Sequence, residues 1–392
     1  MTRMNGTGSP GSRRRATPSA VSRSLAVVTW AVRHPGQIYQ HRGWVLQGLG
    51  LGRILQPRQA HGGTLEYVRP QFLDRHARSL DDPKLVPASE ATHMRDEDVV
   101  LGIAIEGQAK AYPWWIMDDH HNANDIVAGR PVAIMLCEQC STAVAFDARV
   151  GGRRVMFDHG PHYNGTNTLT DRTTRSVWSA YLGTAILGRR RGTKLKLLPL
   201  QQMAWGAWLK LHPDTEVLAE EQGSRTGHGS KHTIGLDLIP TSFRKTVARW
   251  DARLPPATLV MGAVAPTGQR VYPLGGLSAS GGVVNDDLGG TPIVVTAFQA
   301  EGSYGALAFS RVLDGSILTF RTGPKGPVDG QTGSTWTYEG VAVAGPLTGS
   351  HLEFIPSHVS EWYVWAAHFP DIEIWSPQDG RPVPEDPIVH LP

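Results

Sequence analysis

Both cysteines of this 392-residue chain stand in one Cys-x-x-Cys, Cys137 and Cys140, and histidines flank them on either side. His120 and His121 precede the pair; His159 and His162 follow it. Two thiols separated by two residues can form a disulfide, serve a dithiol redox couple, or supply two ligands to a soft metal. Thiolate with imidazole suits copper, zinc or iron, whereas hard cations prefer oxygen donors. The thioethers of Met117, Met135 and Met156 tilt the expectation toward copper. The candidate ligands are therefore Cys137, Cys140, His120, His121, His159 and His162, with His120 as the leading third donor. Asp118, Asp119 and Asp158 could orient imidazoles through their second N–H. Tyr163 and Asn164 are close enough in sequence to line a pocket for a small-molecule substrate.

These donors must be brought together by the elements around them. A thioredoxin-like site puts its first cysteine at a helix N-terminus. Here the residues after Cys140, STAVAFD, alternate as a strand does. The motif is therefore expected in a tight turn between two strands, where both sulfurs face one point. The stretches VLGIAIEGQAKAY, PVAIML and TAVAFDARVGGRRVMF also read as strands and hairpins. Leu200 to Leu211 reads as a helix after Pro199, with Trp205, Trp208 and Leu209 at core spacing. Asn124-Asp125, followed closely by glycine, reads as a turn.

The chain also carries an internal repeat. Residues 181–216 align without a gap on residues 338–373, and twelve positions are identical, among them Trp205/Trp362 and Trp208/Trp365. Earlier blocks match as well: 99–113 on 259–273, 124–135 on 285–296, and 143–157 on 306–320. An α+β fold, mostly antiparallel β, is predicted, built as two tandem similar halves from internal duplication with one main helix per half. Expected boundaries are an N-terminal arm (1–60), a first repeat with the Cys-x-x-Cys (61–219), a connector (220–257), a second repeat lacking it (258–376) and a tail (377–392). In the alignment Cys137 faces Phe298, Cys140 faces Glu301, and the flanking histidines face Gly281, Gly282, Thr322 and Lys325. Every soft donor is confined to the first copy, which predicts a site there and none in its twin.

Composition excludes several classes. A net charge of +3 without a basic stripe argues against a nucleic-acid partner. There is no P-loop, no Gly-x-Gly-x-x-Gly and no Gly-x-Ser-x-Gly, so no nucleotide cofactor is expected. The polar, basic start gives no clear signal peptide, so a cytoplasmic location is expected, with membrane association or export as alternatives. The apolar stretches 24–32 and 43–55 could place the arm on a membrane surface.

From about Asp82 to Trp375 the chain resembles a bacterial family known as domain of unknown function 3179. The resemblance runs through DDPKLVPASEA (81–91), His120 with Asn124 and Asp125, CEQCSTAVAF (137–146), HYNGTNTLTDRTTRSVWS (162–179) and the LLP to HPDTEVL segment (197–218). Family members often show Cys-x-Leu-Cys-Gly-Thr, whereas this chain keeps the thiols in Cys-Glu-Gln-Cys-Ser-Thr. The family usually has Glu after the motif histidine; here His121 stands there. Many relatives look exported. The resemblance implies a boundary and a site, but no activity. From the residues, the expected function is a metal-thiolate oxidoreductase acting on a small molecule. A non-catalytic metal carrier and a thiol-disulfide redox protein are the alternatives.

Overall fold

A computed structural model describes residues 78–223, 241–298 and 303–377. They belong to one compact unit, Arg58–Pro392. The expected N-terminal arm, residues 378–392 of the tail and residues 224–240 of the connector lie outside the described residues. No helix among the described residues is long and apolar enough to cross a membrane.

The described fold is α+β and dominated by antiparallel strands. The alternating run at 99–113 forms the hairpin β1 (Val99–Ile105) and β2 (Gln108–Pro113). Pro113 then opens α1 (Trp114–His120), a helix that strand periodicity did not anticipate. It buries Trp114, Ile116 and Met117. A second meander follows: β3 (Asn122–Val127), β4 (Arg130–Cys137) and β5 (Thr142–Asp147), all antiparallel. Asn124 and Asp125 lie within β3, not in a turn; the reversal uses Ala128 and Gly129, both at positive φ. A third sheet is built from Phe157–His159, Thr168–Asp171, Val177–Ser179 and Thr184–Leu187.

The expected helix from Leu200 begins late. Gln201–Ala204 form β6, hydrogen-bonded antiparallel to β1, and only Trp205–Leu211 are helical (α2). Backbone groups of Gln201–Ala204 are taken by the edge of β1, so helix can begin only at Trp205, whose N–H donates to the Asp98 carbonyl (2.7 Å).

Residues 259–377 repeat this order. β7 (Leu259–Ala265) pairs with β8 (Gly268–Pro273), then come α3 (Leu274–Ala279), β9 (Val283–Leu288), β10 (Thr291–Ala297) and β11 (Ala306–Ser310). β12 (Ser357–Glu361) lies antiparallel on β7 and leads into α4 (Trp362–His368). Equivalent contacts recur. Tyr112 and Lys110 meet Asp125, while Tyr272 and Arg270 meet Asp286. Gly102 leaves room for the Trp208 ring and Gly262 for that of Trp365; a Cβ at either glycine would collide with it.

The core around the cysteines is shared. Cys137 and Cys140 pack in one apolar cluster with Trp178 and Tyr181 of the first segment and Trp362, Tyr363 and Trp365 of the second.

Candidate functional site

β4 ends at Cys137, a 3₁₀ turn covers Glu138–Cys140, and Ser141 (φ 51°) turns the chain into β5. Cys137 and Thr142 stand opposite each other in register. This turn brings the two Sγ atoms to 2.7 Å, and both cysteines are free thiols with no exposed surface. Cys140 Sγ also lies 3.1 Å from Thr142 Oγ1 and 3.4 Å from Thr166 Oγ1. Burial, reinforced by the neighbouring Cys140, pushes the Cys137 thiol well above its ordinary range. Cys137 is therefore held protonated at neutral pH.

The second segment closes over this turn. Ser360 Oγ donates to the Cys140 carbonyl (3.2 Å) and lies 2.8 Å from Thr142 Oγ1. Tyr181 OH is 3.2 Å from the same Thr142 hydroxyl. Ser141 Oγ donates to Glu361 Oε1 at 3.5 Å. Burial raises the Glu361 carboxyl well above the usual carboxylate range, with the Cys140 thiol adding to it. Thr142, Thr166, Tyr181, Ser360 and Glu361 escaped the sequence reading because three are hydroxyl residues of ordinary strands and turns, and two lie some 220 residues from the motif. The one available signal was Glu361, an acid immediately before the apolar run WYVWAA.

The imidazoles form a second group beside the turn. His121 ends α1 in the left-handed region (φ 59°), with its Nδ1 3.1 Å from Glu138 Oε2. Its ring centroid is 4.9 Å from that of His159, which is 6.4 Å from His162. In the amide orientation that satisfies its neighbours, Asn122 donates to the His121 carbonyl (3.0 Å) and accepts the His159 N–H (2.6 Å), so it ties two of these histidines together. His159 Nε2 and His162 Nε2 are buried without a hydrogen bond of ordinary geometry among the described residues, the Asn167 side chain being the polar group beside both. Burial, then the nearby His121, lowers the pKa of His159 to about 4; burial, then His159, lowers that of His162 to about 3. Both rings are thus neutral near pH 7.

His120 is not in this group. Its ring nitrogens lie 2.5 Å from the Arg78 carbonyl and 2.6 Å from the Gln222 carbonyl, so neither is open to a metal. The left-handed turn at His121 sends the two adjacent side chains to different neighbours. Asn164 (φ 47°) is a clamp: its amide donates to the Ala367 carbonyl (3.1 Å) and accepts the Ala248 N–H (3.3 Å). Tyr163 is buried edge-on to His368, 5.4 Å between ring centres. Asp158 pairs with Arg172 and Arg175 and, among the described residues, orients no imidazole. Met117 and Met135 are fully buried core residues.

Chemically, two thiols, three imidazoles and Glu138 are a donor set that copper or zinc would accept. Geometrically, among the described residues no three His, Cys, Asp or Glu side chains converge as metal ligands do. The site as folded offers a close dithiol with neutral imidazoles alongside.

Comparison with curated proteins and with solved structures gives no match. A family profile matches residues 78–372, spanning the cysteine turn, the imidazoles and the segment that covers them. On that coverage the chain belongs to the family described as "Protein of unknown function (DUF3179)".

Proposed function

We propose that this protein is an oxidoreductase acting on a small molecule, with Cys137 and Cys140 as its redox pair. The observation that carries the reading is the 2.7 Å approach of two free sulfurs within a buried turn. Oxidation of the pair forms one S–S bond and releases two protons and two electrons to the substrate; reduction reverses this. Full burial restricts the partner to a small molecule, because a protein disulfide could not reach the sulfurs.

A metal-assisted form of the same reading is favoured by the buried Nε2 atoms of His159 and His162, which make no hydrogen bond of ordinary geometry among the described residues. Buried neutral imidazoles of this kind are commonly completed by a ligand. In that form His159 and His162 would hold the ion, copper ahead of zinc or iron, with His121, Glu138 and the thiols available beside them. The bound ion would supply an electron-accepting centre. A carrier that binds the ion without turnover has the same donors.

Metal analysis and thiol titration of protein purified without chelator distinguish these forms. A titratable disulfide lost in Cys137→Ser, without stoichiometric metal, supports the dithiol couple. Stoichiometric metal lost in His159→Ala supports the metal-assisted form, and substrate oxidation then separates enzyme from carrier. Neither metal nor a reversible disulfide in the wild-type chain would remove the proposal.

We also infer that the two segments arose by internal duplication. The supporting pattern is the shared element order together with paired contacts: Asn124 brackets the backbone of Phe157 as Asn285 brackets that of Phe320. Asp171 receives Thr174 and Trp178 as Asp329 receives Thr332 and Trp336.

A further inference from the structure

A cavity of about 470 Å³ opens between the two segments, within the size range of small-molecule sites. Its wall is largely apolar and aromatic, including Phe146, Val264, Trp365 and Phe369. Three polar side chains interrupt that wall; Thr184 is satisfied locally by the Leu182 carbonyl, and two others matter more. One is Tyr181, whose hydroxyl is tied to Thr142. The other is His358, 5% exposed, stacked on Trp365 with ring centres 4.6 Å apart. His358 Nε2 has no hydrogen-bond partner among the described residues, and a buried polar atom in this position calls for a water or a ligand to satisfy it.

The rim carries the charge. Lys194 and Lys196 both line the cavity and both are exposed. Neither forms a salt bridge among the described residues, whereas Lys84 pairs with Glu221 and Lys110 with Asp125. Among the described residues no Asp or Glu lines the cavity. An apolar chamber lined by cationic and not by acidic side chains selects for a body that prefers to leave water and a head that is negative.

We propose that this cavity binds an amphipathic organic acid, its hydrophobic body against the aromatic wall and its carboxylate at Lys194 and Lys196. A neutral or cationic molecule of the same shape gains the apolar contact but loses the attraction at the rim. Binding here does not require the thiol pair to be redox-active, so the site stands apart from the function proposed above. The ligand would nonetheless lie against Tyr181, two hydroxyl contacts away from Cys140.

The test uses isothermal calorimetry on the full chain with 4-phenylbutyrate, 4-phenylbutanol and 4-phenylbutylamine as probes. The expected result is binding of the acid at least about tenfold tighter than the amine, with the alcohol between them. A Lys194→Glu/Lys196→Glu double variant alters only exposed side chains; it should lose that preference and bind the acid about tenfold more weakly. Val264→Trp, which fills the chamber, should weaken all three probes. Absence of acid binding at about 1 mM would overturn the proposal. So would equal affinity for acid and amine, or undiminished acid binding by the double lysine variant.

Discussion

Four histidines of this protein, His159, His162, His358 and His368, are buried and kept neutral. The last two lie in the second segment, against Tyr181 and Trp365. Burial, then the neighbouring His368, takes the pKa of His358 from 6.5 to about 3; burial takes that of His368 to about 4. The unfolded chain protonates both near 6.5, so between these values it binds more protons than the folded one. Stability is therefore fully present above about pH 7 and falls as pH drops through 6.5 toward 4. At about pH 5 each ring accounts for a loss of roughly 2 kcal/mol. Urea unfolding at about pH 5 and pH 8 should show that difference, and His358→Phe should reduce it. An unchanged difference in the variant would place the acid sensitivity elsewhere.

At the scale of elements, the sheets are held to their neighbours by polar straps and by glycine gaps. Asn124 donates to the Phe157 carbonyl (2.9 Å) and accepts its N–H (2.8 Å), fastening β3 to the next sheet. Asn285 does the same for Phe320, at 2.6 and 2.8 Å. Replacing either by alanine leaves a backbone donor and acceptor unmet, at about 2 kcal/mol. A loss in denaturant midpoint is expected for both, larger for the fully buried Asn124→Ala, which also gives up the bond to Asp81, than for Asn285→Ala, with no change in slope. Gly262 on β7 admits the Trp365 ring, and Gly102 on β1 the Trp208 ring. Trp365 is fully buried and has little space to retreat, so Gly262→Ala should cost about 1–3 kcal/mol through overpacking. Thermal unfolding checks this, and a neutral result would mean that the α4 ring relocates freely.

At the scale of the whole molecule, the second segment carries no thiol yet completes the thiol site. Ser360 and Glu361 reach the cysteine turn, and Trp362, Tyr363 and Trp365 share its apolar cluster. Because neither cysteine has exposed surface, a thiol reagent too large for the interior should react only as fast as the structure opens. Trp365→Ala removes a ring from the shared cluster and should destabilise the protein by about 3–5 kcal/mol. Labelling of Cys137 and Cys140 by Ellman's reagent should then accelerate markedly. If labelling of the wild-type protein is already rapid and independent of denaturant, the thiols are reached by another route.

Local chemistry alone decided a good deal here. Alternation after Cys140 identified strand, and Cys-x-x-Cys between two such strands required a turn that brings the sulfurs together, as it does at Cys137 and Cys140. Antiparallel β dominance was likewise legible, since a strand's side-chain period is a property of consecutive residues. What a residue meets across the molecule is not. The left-handed backbone of His121 turns its ring to Glu138 and His159, while that of the adjacent His120 faces two backbone carbonyls. Local sequence puts Gln201–Ala204 at the start of a helix whose spacing is carried by Trp205, Trp208 and Leu209, but hydrogen bonding to β1 makes them a strand. Ser360 and Tyr181 join the thiol turn only because two distant segments pack around it. Periodicity is written along the chain, whereas convergence of side chains depends on how separate elements cross, and only the tertiary structure fixed that.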